Sequence, residues 1–260
     1  MEDKVIEEIV KAVGKENVLT SLEERKCYSY DARNDGVVPD LIVFPSSAED
    51  VSKILRLANE HRFPVIPRGQ GSGLTGGSIP VYGGIILVFT RMNRILEIDA
   101  ENLTATVEPG VITFDLQQEA AKYGLFYPPD PASFKYSSIG GNVAECAGGP
   151  NSLKYGVTRD YVLGLEVVKP TGEIIKTGVR TMKGVVGYDL TRLFVGSEGT
   201  LGVATKIIVK LIPLPEAKAT ILALFQEVED AARAVSAIIA AKVVPSTIEF
   251  MDRASIRCSE

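Results

Sequence analysis

Hydrophobic positions in the N-terminal part of the chain follow a helical period, then a strand, then a helical period again. Val5, Ile9 and Val13 recur at helical spacing and predict an amphipathic helix from the first residue to Val13. Leu41 to Phe44 is a short, fully apolar run, which predicts a buried strand. Apolar residues then return three and four positions apart between Val51 and Ala58, and they predict a second amphipathic helix.

This second helix has a start signal, and another strand follows it. Ser47 lies three residues before Asp50, the spacing at which a side chain caps the free N–H groups of a first helical turn. The single histidine, His61, falls where the helix should end, so we expect it to interact with the helix dipole and not to act in catalysis. Phe63 to Pro67 predicts a strand. Strand, helix and strand then form a βαβ unit with a parallel pair.

The middle of the chain predicts mainly strands. A helix is predicted over residues 113–123, whereas residues 127–155 predict a long irregular stretch. Thr171-Gly172 predicts the tight turn of a hairpin. The predicted strands cover residues 84–90, 94–98, 104–108, 161–169, 173–177 and 201–212.

A proline pair divides the chain. Pro213-Leu214-Pro215 closes the last long strand and predicts a boundary between a domain over residues 1–214 and the beginning of a second domain over 215–260. One helix and two strands rarely hold a core of their own, so we expect this second domain to be incomplete. Its predicted elements are strands at 219–225 and 246–251 and a helix at 228–241.

Composition and charge exclude several classes of protein. Of the 260 residues, 45% are hydrophobic and 23% are charged, as is usual for a globular protein. A formal net charge of −5 argues against a nucleic-acid surface, which needs a basic stripe. One histidine and three cysteines without a CxxC pair argue against a zinc site and indicate a reducing, cytoplasmic compartment. No apolar stretch is long and uncharged enough to predict a transmembrane segment.

The densest glycine cluster directly follows the strand at residues 63–67. It reads Arg68-Gly69-Gln70-Gly71-Ser72-Gly73-Leu74-Thr75-Gly76-Gly77. Glycine tolerates positive φ angles and leaves the backbone uncovered, so that consecutive N–H groups can turn toward an anion. The cluster therefore predicts a loop that binds phosphate oxygens, with Arg68 as an additional charge. A flexible surface turn is the alternative that this loop alone leaves open.

Two well-known phosphate loops do not fit this cluster. The Walker pattern fails because no Gly-Lys-Ser/Thr follows. Gly71 to Gly76 matches GxGxxG literally, but the Rossmann fingerprint requires a helix immediately after the loop. The continuation Ile79-Pro80-Val81-Tyr82-Gly83-Gly84 is incompatible with a helix. The GxGxxG match is therefore accidental.

Two further clusters of small residues lie later in the chain. Ser137 to Ala144, continued by Ala147 to Asn151, allows close approach to a flat ligand, although a packed loop between two sheets explains it equally well. Gly196 to Gly202 is by itself typical of a simple turn into a strand. Three such clusters in one chain favour a shared ligand.

The order and composition of these motifs resemble a known family. The chain resembles the FAD-binding domain of the vanillyl-alcohol-oxidase (p-cresol methylhydroxylase-type) flavoproteins over about residues 20–250. Within that superfamily it is most similar to the flavin subunit of glycolate oxidase and to D-lactate and D-2-hydroxyglutarate dehydrogenases. The motifs that carry the resemblance are Pro67 to Gly77, Pro128-Pro129-Asp130-Pro131, Ile139 to Ala144, Gly187-Tyr188-Asp189-Leu190 and Phe194 to Gly202.

The resemblance implies a fold and a set of cofactor contacts. The implied fold is α+β, with an FAD-binding domain of two α/β subdomains followed by the start of a ferredoxin-like substrate domain. The implied FAD-binding residues are Arg68, Gly69, Gln70, Gly71, Ser72, Gly73, Leu74, Gly76, Gly77 and Ser78 in the pyrophosphate loop; Pro129, Asp130, Ser138, Ile139, Gly140, Gly141 and Asn142 beside the flavin and ribityl diphosphate; Gly148, Gly149, Tyr155, Gly156 and Thr158 along the same wall; and Glu198, Gly199 and Val203 at the adenine side and deep end.

The resemblance also implies an activity. Many covalent members tether the flavin through a histidine in the first loop, but Gln70 to Thr75 contains none, so we expect non-covalent FAD. The implied reaction is oxidation of a small D-2-hydroxy acid, such as glycolate or D-lactate, by hydride transfer to flavin N5. An iron–sulfur or other electron-transfer subunit is the implied partner.

The catalytic group is not identified by these motifs. Relatives carry HxGDGNxH-like histidines, substrate-binding arginines and any metal ligands in a longer C-terminal part, and this chain has no such motif. We therefore assign no catalytic residue and no metal ligand. The alternative hypothesis is an FAD-binding module or subunit that is not catalytically competent alone. A nucleotide-sugar reductase on the same fold is disfavoured by the composition of the motifs.

Overall fold

Two separate sheets carry most of the hydrophobic core in the computed structural model, which describes residues 1–33 and 36–259. The first sheet lies in the N-terminal part of the chain. The elements there are α1 (Asp3–Val13), β1 (Val18–Leu19), α2 (Leu22–Lys26), β2 (Leu41–Val43), α3 (Ala48–His61), β3 (Val65–Arg68) and β4 (Ile85–Val88).

Both predicted N-terminal helices are confirmed. α1 buries Val5, Ile9 and Val13, the residues that recur at helical spacing. α3 begins where the capping signal predicts, because the Ser47 hydroxyl accepts a hydrogen bond from the Asp50 N–H at 3.1 Å. His61 is the last residue of α3 and contacts Glu8 of α1, with 2.8 Å between Nε2 and Oε2. The histidine therefore joins the two helices that cover the first sheet.

The first sheet has the strand order β1-β2-β4-β3, which differs from the prediction in one respect. β2 and β3 are parallel, but they are not neighbours, because β4 lies between them and pairs in parallel with both. The four side chains of β4 are all buried, whereas most of β3 is half-buried. A strand that is apolar on both faces is stable in the centre of a parallel sheet, with helices and loops on either side. The two strands of the βαβ unit are thus separated by a later strand.

The second sheet is antiparallel, with the strand order β5-β6-β10-β8-β9. The predicted hairpin between β8 and β9 is confirmed, since Gly172 has a φ of +79° and its N–H donates to the Lys169 carbonyl at 2.8 Å. The elements of this second sheet, and the elements around it, are β5 (Ile95–Asp99), β6 (Thr104–Val107), α4 (Thr113–Ala121), β7 (Leu125–Phe126), α5 (Ile139–Glu145), α6 (Ser152–Tyr155), β8 (Val162–Val168), β9 (Ile174–Gly178), α7 (Leu190–Phe194) and β10 (Val203–Lys210).

The prediction of irregular structure over residues 127–155 is wrong in part, because α5 and α6 lie within it. α5 begins at Ser138, whose hydroxyl accepts a hydrogen bond from the Gly141 N–H at 3.2 Å. Glycine is a poor helix former, so Gly140 and Gly141 hid the helix from the pattern. Tertiary contacts stabilise it, since Ile139 and Val143 are buried in the core of the second sheet.

The C-terminal part departs most from prediction. The helix is confirmed as α8 (Val228–Ala240), but the strands predicted at 219–225 and 246–251 are wrong. In the described ranges neither segment pairs with a strand, and Ile221 and Leu222 are 90% and 86% exposed. A strand needs a neighbour for its N–H and C=O groups, which an apolar pattern cannot supply. The remaining elements are β11 (Ile212–Pro213), which pairs with β7, and α9 (Arg253–Ser259).

The division into domains at residue 214 stays a prediction, and Glu260, the last residue of the second region, lies outside the described residues. Among the helices that the structure describes, none has the length and apolar character needed to cross a bilayer.

The cap of α3 gives a test of the fold. Replacing Ser47 by alanine removes the acceptor for the Asp50 N–H, and we expect the free energy of unfolding to fall by about 1 kcal/mol. Urea denaturation followed by circular dichroism measures the change. Ser236→Ala, at an exposed position inside α8, is the matched control and should not lower the free energy of unfolding, because alanine is the better helix former. Equal effects of the two substitutions would contradict the assignment of Ser47 as the cap.

Candidate functional site

A cleft opens where the two sheets approach each other, at the end of β3. Its empty volume is about 550 Å³, including the part that is open to solvent. The glycine-rich loop begins at one edge of it, α5 lies opposite, and apolar side chains of β8 and β10 close its floor. The lining residues are Pro67, Arg68, Gly69, Phe89, Pro109, Ser138, Gly140, Gly141, Val143, Ala144, Leu165, Val167, Phe194, Ser197, Gly199, Gly202, Val203 and Ala204.

The loop after β3 contains a run of backbone donors that have no hydrogen-bond partner in the part of the chain that the structure describes. Across residues 1–33 and 36–259, the N–H groups of Gln70 to Thr75 make no hydrogen bond to the protein. Gly71 and Ser72 are half-buried and the other four residues are exposed, so a ligand can reach the loop. A run of consecutive N–H groups that have no partner among the described residues is typical of a site that binds an anion. Gly71 and Gly76 have φ angles of +67° and +81°, values that glycine adopts without strain.

Arg68 lies at the base of this loop and is 6% exposed. Its Nη1 donates to the Ser78 hydroxyl at 3.2 Å, and its guanidinium carbon lies 6.0 Å from the centre of the Tyr28 ring. Burial lowers the pKa of Arg68, which nevertheless stays charged at any pH at which the protein is folded. A Cβ on Gly71 would collide with this guanidinium, so glycine is required there for space as well as for its φ angle.

α5 forms the opposite wall by shape and not through its backbone donors. The N–H groups of Ile139 and Gly140 donate to the carbonyls of Val111 and Pro109, each at 2.8 Å. The next two N–H groups are satisfied by the side chain and carbonyl of Ser138, at 3.2 and 2.9 Å. With its donors already used, the helix offers a ligand close van der Waals contact along Gly140 and Gly141. Ile139 and Asn142 are also predicted site residues, but their side chains are buried away from the cleft.

The third glycine cluster is attached to α5. The N–H groups of Gly196 and Glu198 donate to the carbonyls of Val143 and Ala144, both at 2.9 Å. Gly199 has a φ of +76°, and a Cβ there would lie 3.1 Å from Pro67 Cγ. This segment therefore bridges α5 and β3 and closes the cleft between them. Glu198 is exposed, with a φ of +53°, and its carboxylate lies near Gly77 at the rim.

A second group of predicted residues lies beyond the C-terminal end of α5 and does not line the cleft that the described residues form. In this group the Asp130 carboxylate accepts a hydrogen bond from the Asn151 N–H at 3.0 Å. A Cβ on Gly149 would collide with the Asp130 carbonyl, so that the two turns are in direct contact. The group comprises Pro129, Asp130, Gly148, Gly149, Tyr155, Gly156 and Thr158.

The structure adds lining residues that the motifs do not identify. Phe89, Leu165, Val167 and Phe194 form the apolar floor. Phe194 lies inside a recognised motif, whereas nothing in the local pattern of the other three separates them from ordinary core positions. Four further lining residues lie inside the recognised motifs: Val143, Ala144, Ser197 and Gly202. The implied site residues in the same motifs were the signal that could have identified them. Pro109 and Ala204 have no such signal.

The chemistry of the lining favours binding and not acid–base catalysis. In the described parts of the chain the lining contains Arg68, Ser138 and Ser197 as polar side chains and no carboxylate, histidine or thiol. No cluster of metal-ligating side chains is present among the described residues either. The cleft can bind an anion at the glycine loop and a flat apolar group along its floor, while redox chemistry requires a bound cofactor.

The titration of Asp130 can be tested on the cofactor-free protein. Burial raises the pKa of the Asp130 carboxyl, against the hydrogen bond from Asn151 and the charge of Lys218, which lower the pKa. The raised pKa means that the folded state favours the protonated form. The stability that protonated Asp130 contributes to the folded state is therefore complete below the ordinary carboxyl pKa of 3.8, and it is lost as the pH rises through the raised pKa.

Asp130→Asn stays neutral and keeps an oxygen for the Asn151 N–H, so its stability relative to the wild type should increase from acid to neutral pH. Thermal denaturation at a series of pH values measures this trend. Asp99→Asn is the control and should show the opposite trend, because hydrogen bonds from Asn102 lower the pKa of Asp99. A stability difference for Asp130→Asn that does not change with pH would contradict the assignment.

Solved structures share this arrangement. An alkyldihydroxyacetonephosphate synthase superimposes with a TM-score of 0.81 at 27% identity, covering 95% of this chain and 47% of that one. A p-cresol methylhydroxylase with substrate bound superimposes with a TM-score of 0.75 at 25% identity, covering 91% of this chain and 48% of that one. The fold is therefore the mixed α/β architecture of p-cresol-methylhydroxylase-type flavoproteins, as the motifs predicted.

Relatives with similar sequences are named as oxidoreductases. The chain is 54% identical over 253 residues to the glycolate oxidase subunit GlcD of Bacillus subtilis, covering 97% of this chain and 54% of the relative. It is 38% identical over 263 residues to a D-lactate dehydrogenase of Anaerostipes hadrus, covering 99% of this chain and 55% of that protein. The chain thus spans about half the length of the relatives that it matches.

Two family models match the chain. The C-terminal domain of FAD-linked oxidases matches residues 214–260. The FAD binding domain matches residues 39–178, which include β2 to β9, the glycine loop and α5. Since this match covers more than half of the chain, the protein belongs to the family of FAD-binding domains found in FAD-linked oxidases, and its cofactor is FAD.

Proposed function

We propose that this chain is the FAD-binding part of an enzyme that oxidises a small D-2-hydroxy acid of the glycolate or D-lactate type. The observation that carries the proposal is the 54% identity to a glycolate oxidase subunit over 97% of the chain. The D-lactate dehydrogenase relative supports the same substrate class. Non-covalent binding is part of the proposal, because no histidine lies in the loop at residues 70–75.

The glycine loop fits the pyrophosphate of FAD. The six N–H groups from Gln70 to Thr75, which have no partner among the described residues, supply donors, and the buried Arg68 supplies a positive charge at the base of the loop. Hydrogen bonds between N–H groups and an anionic acceptor are stronger than neutral ones. The backbone can approach the phosphates closely because glycine occupies the turns at Gly71 and Gly76. We assign the pyrophosphate to this loop.

The remaining predicted residues would enclose the rest of the cofactor. Gly140 and Gly141 of α5 offer an uncovered wall next to Gly69, where a Cβ would collide with the Ser138 hydroxyl. The apolar floor formed by Phe89, Leu165 and Val167 would exclude water from a bound ring. Bound FAD supplies a hydride acceptor at flavin N5, and the chain positions and shields it.

The substrate, the partner and the compartment are finer parts of the proposal. A 2-hydroxy acid delivers two electrons when it is oxidised to a 2-oxo acid, and these electrons must leave for the flavin to react again. An iron–sulfur or other electron-transfer subunit is the acceptor that we propose, since one relative is named as a subunit of glycolate oxidase. The proposed compartment is the cytoplasm, in agreement with three unpaired cysteines.

A second candidate function is an FAD-binding module that does not turn over substrate by itself. It is favoured by the cleft lining, which holds no acid–base group in the described parts of the chain, and by the exposed apolar segments around Ile221 and Leu222. Both candidates require FAD at the same cleft. They differ in whether a hydroxy acid reduces the flavin.

Anaerobic reduction of the bound flavin separates these candidates. The absorbance near 450 nm is a typical band of the oxidised flavin. If the protein is an enzyme of this class, we expect it to lose this absorbance when it is reconstituted with FAD and D-lactate or glycolate is added. Dithionite is the control that shows the flavin to be reducible. Bleaching by dithionite but by no 2-hydroxy acid would leave the module function, whereas failure to bind FAD would reject both.

The steric requirement at Gly71 gives a test of the loop. We expect Gly71→Leu to raise the dissociation constant of FAD at least about tenfold, because its side chain displaces the Arg68 guanidinium and blocks the loop. Flavin fluorescence during titration measures the affinity. Gly124→Leu is the matched control, since Gly124 has a φ of +69° and a Cβ there meets nothing within 4 Å. Unchanged affinity in Gly71→Leu would place the pyrophosphate elsewhere.

A further inference from the structure

We propose that Asp31 is a positioning residue that holds the glycine loop in its binding conformation from outside the cleft. The proposal deepens the function proposed above and rests on it, because it assumes that this loop holds the pyrophosphate. Asp31 lies in none of the recognised motifs. Its Oδ2 accepts a hydrogen bond from the Gly76 N–H at 3.1 Å, joining residues 45 positions apart.

Asp31 is one of three contacts between the segment Tyr28 to Ala32 and the loop. The Ala32 N–H donates to the Gly73 carbonyl at 3.2 Å. The Tyr28 ring faces the Arg68 guanidinium at 6.0 Å. The segment therefore contacts the loop at three points, from its first residue to Gly76. Asp31 supplies the charged contact at the far end.

The loop needs such a tether because of its composition. Five of the ten residues from Arg68 to Gly77 are glycine, and glycine loses more conformational entropy on ordering than any other residue. A carboxylate that accepts a backbone N–H forms a stronger hydrogen bond than a neutral group does. This bond holds Gly76 at its φ of +81°, so that the preceding N–H groups keep their direction. Pre-ordering the loop reduces the entropy that FAD binding must overcome.

The sign of the charge also indicates positioning and not direct binding. The Asp31 side chain is 1% exposed, and a buried negative charge repels a nearby phosphate. Such a charge is tolerated because Arg33 lies 3.8 Å away, from Nε to Oδ2, and Arg68 interacts favourably with the Asp31 carboxylate. A residue selected to attract pyrophosphate would be basic. Asp31 is acidic because its task is to accept hydrogen bonds.

The two oxygens of Asp31 have separate roles, which makes the role of each testable. Oδ1 accepts the Arg33 N–H at 2.9 Å within its own turn, whereas Oδ2 reaches Gly76. A second side-chain tether of the loop, from Thr75 to Glu145 at 3.0 Å, is exposed, and water competes for it. Asparagine at position 31 keeps one acceptor oxygen, and alanine keeps none.

The experiment compares Asp31→Ala, Asp31→Asn and the wild type with two measurements. Hydrogen exchange of the cofactor-free protein reports on the loop directly, and we expect faster exchange in Asp31→Ala at Gly76 and Ala32, whose N–H groups donate the two hydrogen bonds between the segment and the loop. Titration with FAD reports on binding, and we expect the dissociation constant to rise about ten- to a hundredfold in Asp31→Ala. Asp31→Asn should lie between Asp31→Ala and the wild type in both measurements.

Asp50→Ala is the matched control, because Asp50, in the first turn of α3, is also a buried carboxylate that accepts a backbone hydrogen bond, from the Ser46 N–H at 3.1 Å. We expect it to lower thermal stability and leave the FAD affinity of the folded protein unchanged. Faster exchange with an unchanged dissociation constant in Asp31→Ala would overturn the positioning role, as would unchanged exchange at Gly76. If the wild type bound no FAD, the proposed function would fail, while the exchange data would still decide whether Asp31 orders the loop.

Discussion

A run of backbone N–H groups without partners among the described residues is the constraint around which this structure is arranged. The donors of Gln70 to Thr75 are neither in a helix nor in a sheet, and no hydrogen bond to another described residue satisfies them. Such a loop cannot order itself, because glycine-rich backbone is entropically costly to fix. Its geometry depends on the elements at either end: β3 delivers Arg68 at the edge of the first sheet, and the segment around Asp31 holds Gly76.

The cleft next to the loop results from contact between the two sheets. Val168 of β8 and Val203 of β10 belong to the second sheet, yet they pack into the core of the first. Gly202 and Gly199 permit this approach, since a Cβ on either would press on Val167 or Pro67. The backbone N–H groups at the start of α5 already have acceptors within the protein, so the two sides of the cleft differ in what they offer a ligand. One side leads through Arg68 and Gly69 to the loop that carries the backbone donors, and the other side presents an uncovered surface.

This asymmetry suits a dinucleotide with a charged centre and flat, largely apolar ends. An anion requires donors that are free and fixed, whereas a ring system requires contact and the exclusion of water. The described lining contains no group that transfers protons, which agrees with a division of labour in which the cofactor carries the redox chemistry. The protein contributes position, charge and shielding.

Local sequence determined the elements whose stability is local. The amphipathic helices α1 and α3, the cap at Ser47 and the turn at Gly172 depend on neighbouring residues, and the pattern predicted each of them. Motif composition was sufficient to identify the glycine loop and the family. The apolar pattern was not sufficient at 219–225 and 246–251, where the predicted strands do not form because they have no partner strands.

Tertiary structure alone decided the rest. It inserted β4 between β2 and β3, formed α5 despite its two glycines, and brought Asp31 to Gly76 across 45 positions. It also separated Ile139 and Asn142, whose side chains point into the core, from Gly140 and Gly141, which line the cleft. These outcomes depend on contacts between residues far apart in the chain, and no local period or propensity encodes such contacts.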